Sequence, residues 1–223
     1  LIYQGVKVVP FSTALGTGLA NFEASSNYQD VQDPAITVLF QLENEQVEEQ
    51  PVYLAAWTTT PWTLVSNLAL CVGEEIDYAL VHDSKQNLYF YLAEALIPKV
   101  AGKKKKLDII KQVKGSELKG LKYQPLFPYF AEMADEGAFQ VLTDDYVSTD
   151  DGTGVVHTAP GFGEDDYRVM KSAGIEAVAC PVDDQGLFTK EAGELAGVYV
   201  KDADKLIIKQ LKERGVLYQQ SVI

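Results

Sequence analysis

Three consecutive threonines, Thr58, Thr59 and Thr60, stand between Trp57 and the pair Pro61-Trp62, and Thr63-Leu64 completes the run. Thr is a good strand residue, and strand alternation sends Thr58 and Thr60 to one face and Thr59 to the other. Pro prefers the first position of a helix, so Thr60 is a natural N-cap, and for Thr60 alone that structural role suffices. Three hydroxyls where a strand meets a helix start are more than a cap requires. They make a polar mouth suited to an ester carbonyl, a ribose or a positioned water. Trp57 and Trp62, the only two tryptophans, flank this mouth and read equally as core or as pocket walls. Asn67 adds an amide that reads equally as a turn cap or a ligand contact.

A second segment carries an imidazole and a carboxylate: Gly152-Thr153-Gly154-Val155-Val156-His157-Thr158-Ala159-Pro160-Gly161-Phe162-Gly163-Glu164-Asp165-Asp166-Tyr167. Residues 155–158 read as a strand, 159–161 as its end, and 162–166 as the opening of a helix. Glu164, Asp165 and Asp166 crowd the first turn, where the helix dipole favours negative charge, and that role accounts for two of the three. His157 leaves a strand and Asp166 enters the next helix, so both can face one cleft. A carboxylate there binds an ammonium group well, and three acids at the helix mouth repel phosphate. Hydrolase signatures such as Gly-x-Ser-x-Gly and His-Glu-x-x-His are absent, so a positioned water is the better candidate nucleophile.

The elements that must position these groups are mostly strands. Strand patterns fall at 7–11, 36–42, 52–59, 77–82, 88–92, 140–142, 155–158 and 177–181. Helical patterns fall at 92–100, 130–135 and 164–173, and a fourth starts after Asp202 as N-cap, sets Ala203, Ile207 and Leu211 on one face, and stops at Gly215. Regular βαβ alternation is missing. The expectation is a mixed α/β fold, a barrel-like or curled sheet core with surrounding helices.

The chain has 223 residues, 47% hydrophobic and 23% charged, enough for one substantial core or two small ones. It opens on Leu1 and not on Met, which suggests a piece of a longer protein or a trimmed product. The formal charge of −13 argues against a large nucleic-acid footprint but not against local contact with one strand end. Lys103 to Lys106 form the only basic block, a solvated loop or, as the alternative, a phosphate contact. No run is long enough to span a bilayer and no leader pattern is present, so no membrane is expected. Cys71 and Cys180 both sit in apolar surroundings and read as buried free thiols of a reducing compartment. With His82 and His157 far apart, no cluster has metal-ligand spacing, and no metal or cofactor is expected.

With these residues in view, the chain resembles the editing domain inserted into isoleucyl-tRNA synthetase, of the eukaryotic cytoplasmic type. The resemblance covers nearly the whole length, so residues 1–223 are expected to be a single editing domain. It rests on residues 8–17, on the threonine-rich run 57–64, on the linking stretch 115–121 and on the second segment 152–167. Related valyl and leucyl domains read Thr-Arg-Pro-Glu-Thr where this chain has Thr59-Thr60-Pro61-Trp62-Thr63, which favours the isoleucyl member. Val65 departs from a common proline. The resemblance implies a deacylase that accepts the 3′-terminal adenosine of tRNA(Ile) mischarged with valine. It implies Asp166 as the ammonium contact, Thr58, Thr59 and Thr60 around the ribose, ester and attacking water, His157 as the wall that excludes larger side chains, and Asn67 near the adenosine. It implies no cofactor, a cytoplasmic location and the rest of the parent synthetase as partner. Segments like His-Ile-Gly-His and Lys-Met-Ser-Lys-Ser are absent, so ligase chemistry is not expected of this piece. The alternative is a non-catalytic module binding an amino compound or an adenosine-like ligand through the same cleft.

Overall fold

The computed structural model describes residues 7–26, 30–102 and 105–223. Leu1 and the Lys103-Lys104 half of the basic block lie outside them. A short hairpin comes first, β1 (Phe11–Ser12) and β2 (Thr17–Gly18), followed by α1 (Asn21–Ala24). The strands β3 (Pro34–Val47), β4 (Gln50–Thr58), β5 (Ala69–Val72), β6 (Asp77–Asp83) and β7 (Leu88–Ala93) come next. Then follow α2 (Ile97–Ala101), β8 (Leu107–Lys114), α3 (Gly115–Leu118), β9 (Gln140–Thr143) and β10 (Val155–Thr158). The last elements are α4 (Glu164–Ser172), α5 (Val200–Glu213) and β11 (Leu217–Val222).

Two sheets carry the fold. The larger has the order β11-β3-β4-β7-β6-β8 and the smaller β10-β5-β9. All neighbours in the larger sheet are antiparallel except β4 with β7. β11 and β8 are its edges, so this sheet is open and does not close into a barrel. Period-two patterning divides its faces. Ile36, Val38, Phe40 and Leu42 point into the main core, while Leu39, Ala55, Val81, Phe90 and Leu92 build a second cluster with Val100 of α2. On α5 the heptad-like spacing of Ala203, Ile207 and Leu211 buries all three in the main core.

The sheets are joined where it matters for the site. β4 ends at Thr58, and a six-residue 3₁₀ turn (Pro61–Ser66) carries the chain out of the larger sheet and toward β5 of the smaller one. β5 pairs with β10 in the register Ala69↔Thr158 to Val72↔Val155, and Leu68 N–H donates to the Thr158 carbonyl at 3.0 Å. β10 also lies against β4, so the ends of both strands meet.

Several expectations need correction. Residues 177–181 do not form a strand; beyond them Val182 makes only an isolated bridge to Phe188. Of the first strand pattern, 7–11, only Phe11 lies in a paired strand, with Ser12 beyond it. Residues 92–93 belong to β7, which delays the following helix, and the helical pattern at 130–135 is a 3₁₀ stretch, Pro128–Glu136. α5 starts at Val200 with Tyr199 as its N-cap, and Asp202 lies inside the first turn. Cys71 is buried as expected, but Cys180 is exposed. Of the basic block, Lys106 pairs with Asp108 at 2.7 Å and Lys105 stands over the Tyr218 ring.

Candidate active site

The threonine run and the second segment open onto one cleft of about 890 Å³. From the first segment Trp57, Thr58, Thr59, Thr60 and Trp62 line it, and from the second His157, Ala159, Phe162 and Asp166. Aromatic contacts lock the two segments together. Trp62 meets Phe162 edge-on at 4.8 Å between centroids. Gly152, at φ +73°, lets the turn before β10 lie against Trp57: a Cβ there would sit 3.3 Å from that side chain. Residues 8–11 and Thr13 contribute to the rim.

Thr58 and Thr60 stand together as expected, but Thr59, expected on the opposite face, also lines the cleft, because β4 ends at Thr58 and the chain bends there. Thr58 Oγ1 and Thr60 Oγ1 lie 3.3 Å apart on one side, and Thr60 N–H donates to Thr58 Oγ1 at 3.1 Å. Thr60 occupies the N-cap position of the 3₁₀ turn, but its hydroxyl makes no capping bond. It faces Thr63 Oγ1 at 3.1 Å instead. The Trp62 amide is satisfied from far along the chain, by Asp204 Oδ1 of α5 at 2.9 Å. Burial pushes the Asp204 carboxyl up to about 6, and the Trp62 amide opposes that shift.

His157 is buried, and both its ring nitrogens are engaged. Nε2 lies 3.0 Å from Thr63 Oγ1, and Nδ1 lies 2.9 Å from Asn67 Nδ2. Burial lowers its pKa to about 4, so the ring is neutral at physiological pH. Asn67 is not among the residues lining the cleft. It sits behind His157, also donating to the Ala69 carbonyl at 2.8 Å and accepting from the Tyr123 hydroxyl at 2.7 Å. Its place in this structure is behind the wall, as a support for His157.

Asp166 stands in the first turn of α4, as expected, with Glu164 and Asp165. Its Oδ2 accepts from Ala159 N–H at 2.9 Å. Burial raises its pKa to about 6; the Ala159 amide opposes this and the Asp165 charge adds to it. Gly163 makes this placement possible, because a Cβ there would lie 2.6 Å from Asp166 Oδ2. Asp150, Asp151, Asp183 and Asp184 also border the cleft, so its field favours a cationic group and opposes phosphate. Among the described residues no group of three or more His, Cys, Asp or Glu could hold a metal ion.

Sequence reasoning missed Thr63, Tyr123 and Asp204. Thr63 was findable, three residues after Thr60 on a helical turn. Tyr123 and Asp204 act across 56 and 142 residues, a separation with no local signal.

This architecture is that of a class I synthetase editing domain. It superposes on the cytosolic leucyl-tRNA synthetase editing domain of P. falciparum with a TM-score of 0.64 at 10% identity, covering 84% of this chain and 99% of that one. No family model matches the chain. Sequence relatives define it more closely. It is 51% identical over 224 residues to the isoleucine–tRNA ligase of Bdellovibrio bacteriovorus, covering 100% of this chain and 21% of that one. It is 50% identical over 228 residues to the cytoplasmic isoleucine–tRNA ligase of Saccharomyces cerevisiae, again 100% of this chain and 21% of that one. The chain spans about a fifth of the length of the curated relatives it matches. It belongs to the isoleucyl-tRNA synthetase family as the segment with the editing-domain fold.

Proposed function

We propose that this chain hydrolyses the ester of tRNA(Ile) mischarged with valine. The single observation that carries the reading is the shared cleft, lined by a row of threonine hydroxyls, a half-buried carboxylate and a neutral imidazole. A volume near 890 Å³ suits an aminoacyl nucleoside better than a free amino acid. Asp166 holds the ammonium group of the amino acid. Thr58, Thr59 and Thr60 border the ribose, the ester and the attacking water. Water oxygen bonds to the ester carbonyl carbon, the bond to the ribose oxygen breaks, and that oxygen takes the proton. Valine and tRNA leave.

The reaction answers a physical limit. One methylene in an apolar pocket yields only about 1–3 kcal/mol of discrimination, a limit for which isoleucyl-tRNA synthetase is itself the standard example. A second site that rejects the larger side chain by collision is steeper. His157 supplies the wall here, with Trp57 and Trp62 enclosing the rest. The parent enzyme charges tRNA(Ile) with isoleucine using ATP, in the cytoplasm, and supplies most of the grip on the tRNA, because this chain is acidic. No helix of the described residues is long and apolar enough to cross a membrane.

The test is a deacylation comparison. Val-tRNA(Ile) should lose its amino acid while Ile-tRNA(Ile) survives. Equal rates, or none for either, would sink the assignment.

A further inference from the structure

We propose that Tyr123, outside the cleft, is a positioning residue for deacylation: together with the Ala69 carbonyl it holds the Asn67 amide, and through Asn67 and His157 that sets the direction of the hydroxyl protons of Thr58, Thr60 and Thr63. The inference deepens the reading of the cleft as a deacylase site and rests on it.

The direction follows from one group that can only accept. The Ala69 carbonyl lies 2.8 Å from the Asn67 amide, so the atom facing it is the NH₂ nitrogen. The Tyr123 hydroxyl donates to the other end, Oδ1, at 2.7 Å. Burial holds the phenol pKa well above its ordinary value, so that proton stays on. Flipping the amide would set Oδ1 against the Ala69 carbonyl, lose that bond and turn the Tyr123 hydroxyl from donor to acceptor. The second amide proton therefore points at His157 Nδ1, 2.9 Å away, and Nδ1 must accept. The neutral ring then carries its proton on Nε2 and donates it to Thr63 Oγ1 at 3.0 Å.

The rest is forced. Thr63 gives its own proton to the Thr60 carbonyl at 2.8 Å. At the 3.1 Å contact between Thr60 and Thr63, Thr60 is consequently the donor. At the 3.3 Å contact between Thr58 and Thr60, the donor is Thr58. All three hydroxyl protons are used inside the row. Thr58 and Thr60, which both line the cleft, are left with a lone pair each. Such a pair can accept hydrogen bonds from both protons of one water and leaves the lone pairs of its oxygen free to attack. Thr58 and Thr60 have no proton left to offer an oxyanion; Thr59 stands outside this row.

Tyr123 packs edge-on against Phe40 and Phe139, at 5.3 and 6.1 Å between centroids, and Tyr123→Phe keeps those rings in place. The chain has two histidines, so ¹⁵N NMR of histidine-labelled protein reads the ring at 157 once His82→Gln removes the other signal. The parent sequence should show Nδ1 unprotonated and Nε2 protonated. Tyr123→Phe removes one of the amide's two anchors, leaves Asn67 Oδ1 unpaired with only the Ala69 carbonyl to hold the amide, and should admit a share of the other tautomer. Its kcat for Val-tRNA(Ile) should fall roughly tenfold, the worth of one well-placed hydrogen bond, with KM little changed. Asn67→Asp replaces the donor with an acceptor and should move the proton to Nδ1. An unchanged tautomer in both variants overturns the relay. A shifted tautomer with undiminished kcat overturns the positioning role. Should the parent sequence hydrolyse nothing while the tautomer still shifts, the deacylase reading is what fails, and the positioning role falls with it.

Discussion

Asp166 Oδ2 accepts a hydrogen bond from Ala159 N–H at 2.9 Å, which ties the first turn of α4 back to the end of β10. Despite that bond, burial keeps the carboxyl pKa near 6, above the ordinary aspartate value of 3.8. A carboxylate whose folded pKa is raised stabilises the fold fully below pH 3.8 relative to higher pH, and loses that contribution as pH rises through about 6. Asp166→Asn should therefore match the parent near pH 3.5 and exceed it at pH 8 by on the order of 2 kcal/mol, measured by urea denaturation. The same titration should appear in catalysis. The ammonium contact needs the charged form, so kcat/KM of the parent should climb with pH through about 6. Asp165→Asn removes one of the causes of the shift and should move the rise to lower pH. Asp166→Ala should be inactive at every pH with its fold retained.

Gly163 offers a way to displace the same carboxylate without removing it. Its φ of −123° suits any residue, so alanine there carries no backbone strain. The added methyl would nevertheless lie 2.6 Å from Asp166 Oδ2. Gly163→Ala should raise KM for Val-tRNA(Ile) about tenfold or more while changing stability by no more than about 1 kcal/mol. A variant with normal kinetics would show that the carboxylate position is not critical.

Asp204 tests the support of the 3₁₀ turn. Asp204→Ala leaves the Trp62 amide without an acceptor and should cost about 1–3 kcal/mol of stability. Asp204→Asn keeps an acceptor and should cost little. Chemical denaturation of the pair separates the two outcomes. Deacylation should follow the same order, because Trp62 and the Thr60–Thr63 bonds ride on that turn.

His157→Ala should open the wall. Ile-tRNA(Ile), which on the proposed reading the parent sequence spares, should become a substrate, and the preference for Val-tRNA(Ile) should drop about tenfold or more. The variant also leaves Asn67 and Thr63 with unmet partners, at a cost of about 1–3 kcal/mol, so the comparison belongs at a temperature where circular dichroism shows it folded.

The parts of this fold that sequence reasoning reached are those governed by neighbours in the chain. Ile36, Val38 and Phe40 alternate, and Ala203, Ile207 and Leu211 recur at helical spacing; both patterns survive because burial acts on each residue through its own element. The acids of α4 were placed correctly for the same reason. What was missed depends on distant partners. β5 is only four residues long and buried throughout, and it is defined by β10 and β9. β8 is an edge strand whose Lys111, Gln112 and Lys114 mask its pattern. Thr60 looks like a capping residue in every local respect, yet its hydroxyl is spent on Thr63 because Asp204 caps the turn from another element. The run at 177–181 has strand-like residues but no strand beside it to pair with among the described residues.

The double engagement of His157 reaches beyond hydrolysis. A ring with one nitrogen capped by Asn67, the other by Thr63, and a pKa near 4 presents no nucleophilic lone pair to solvent. Imidazole-acylating reagents should therefore modify His82 and leave this ring untouched. Inactivation by such a reagent, the usual signature of histidine-dependent hydrolases, is not to be expected of this chain.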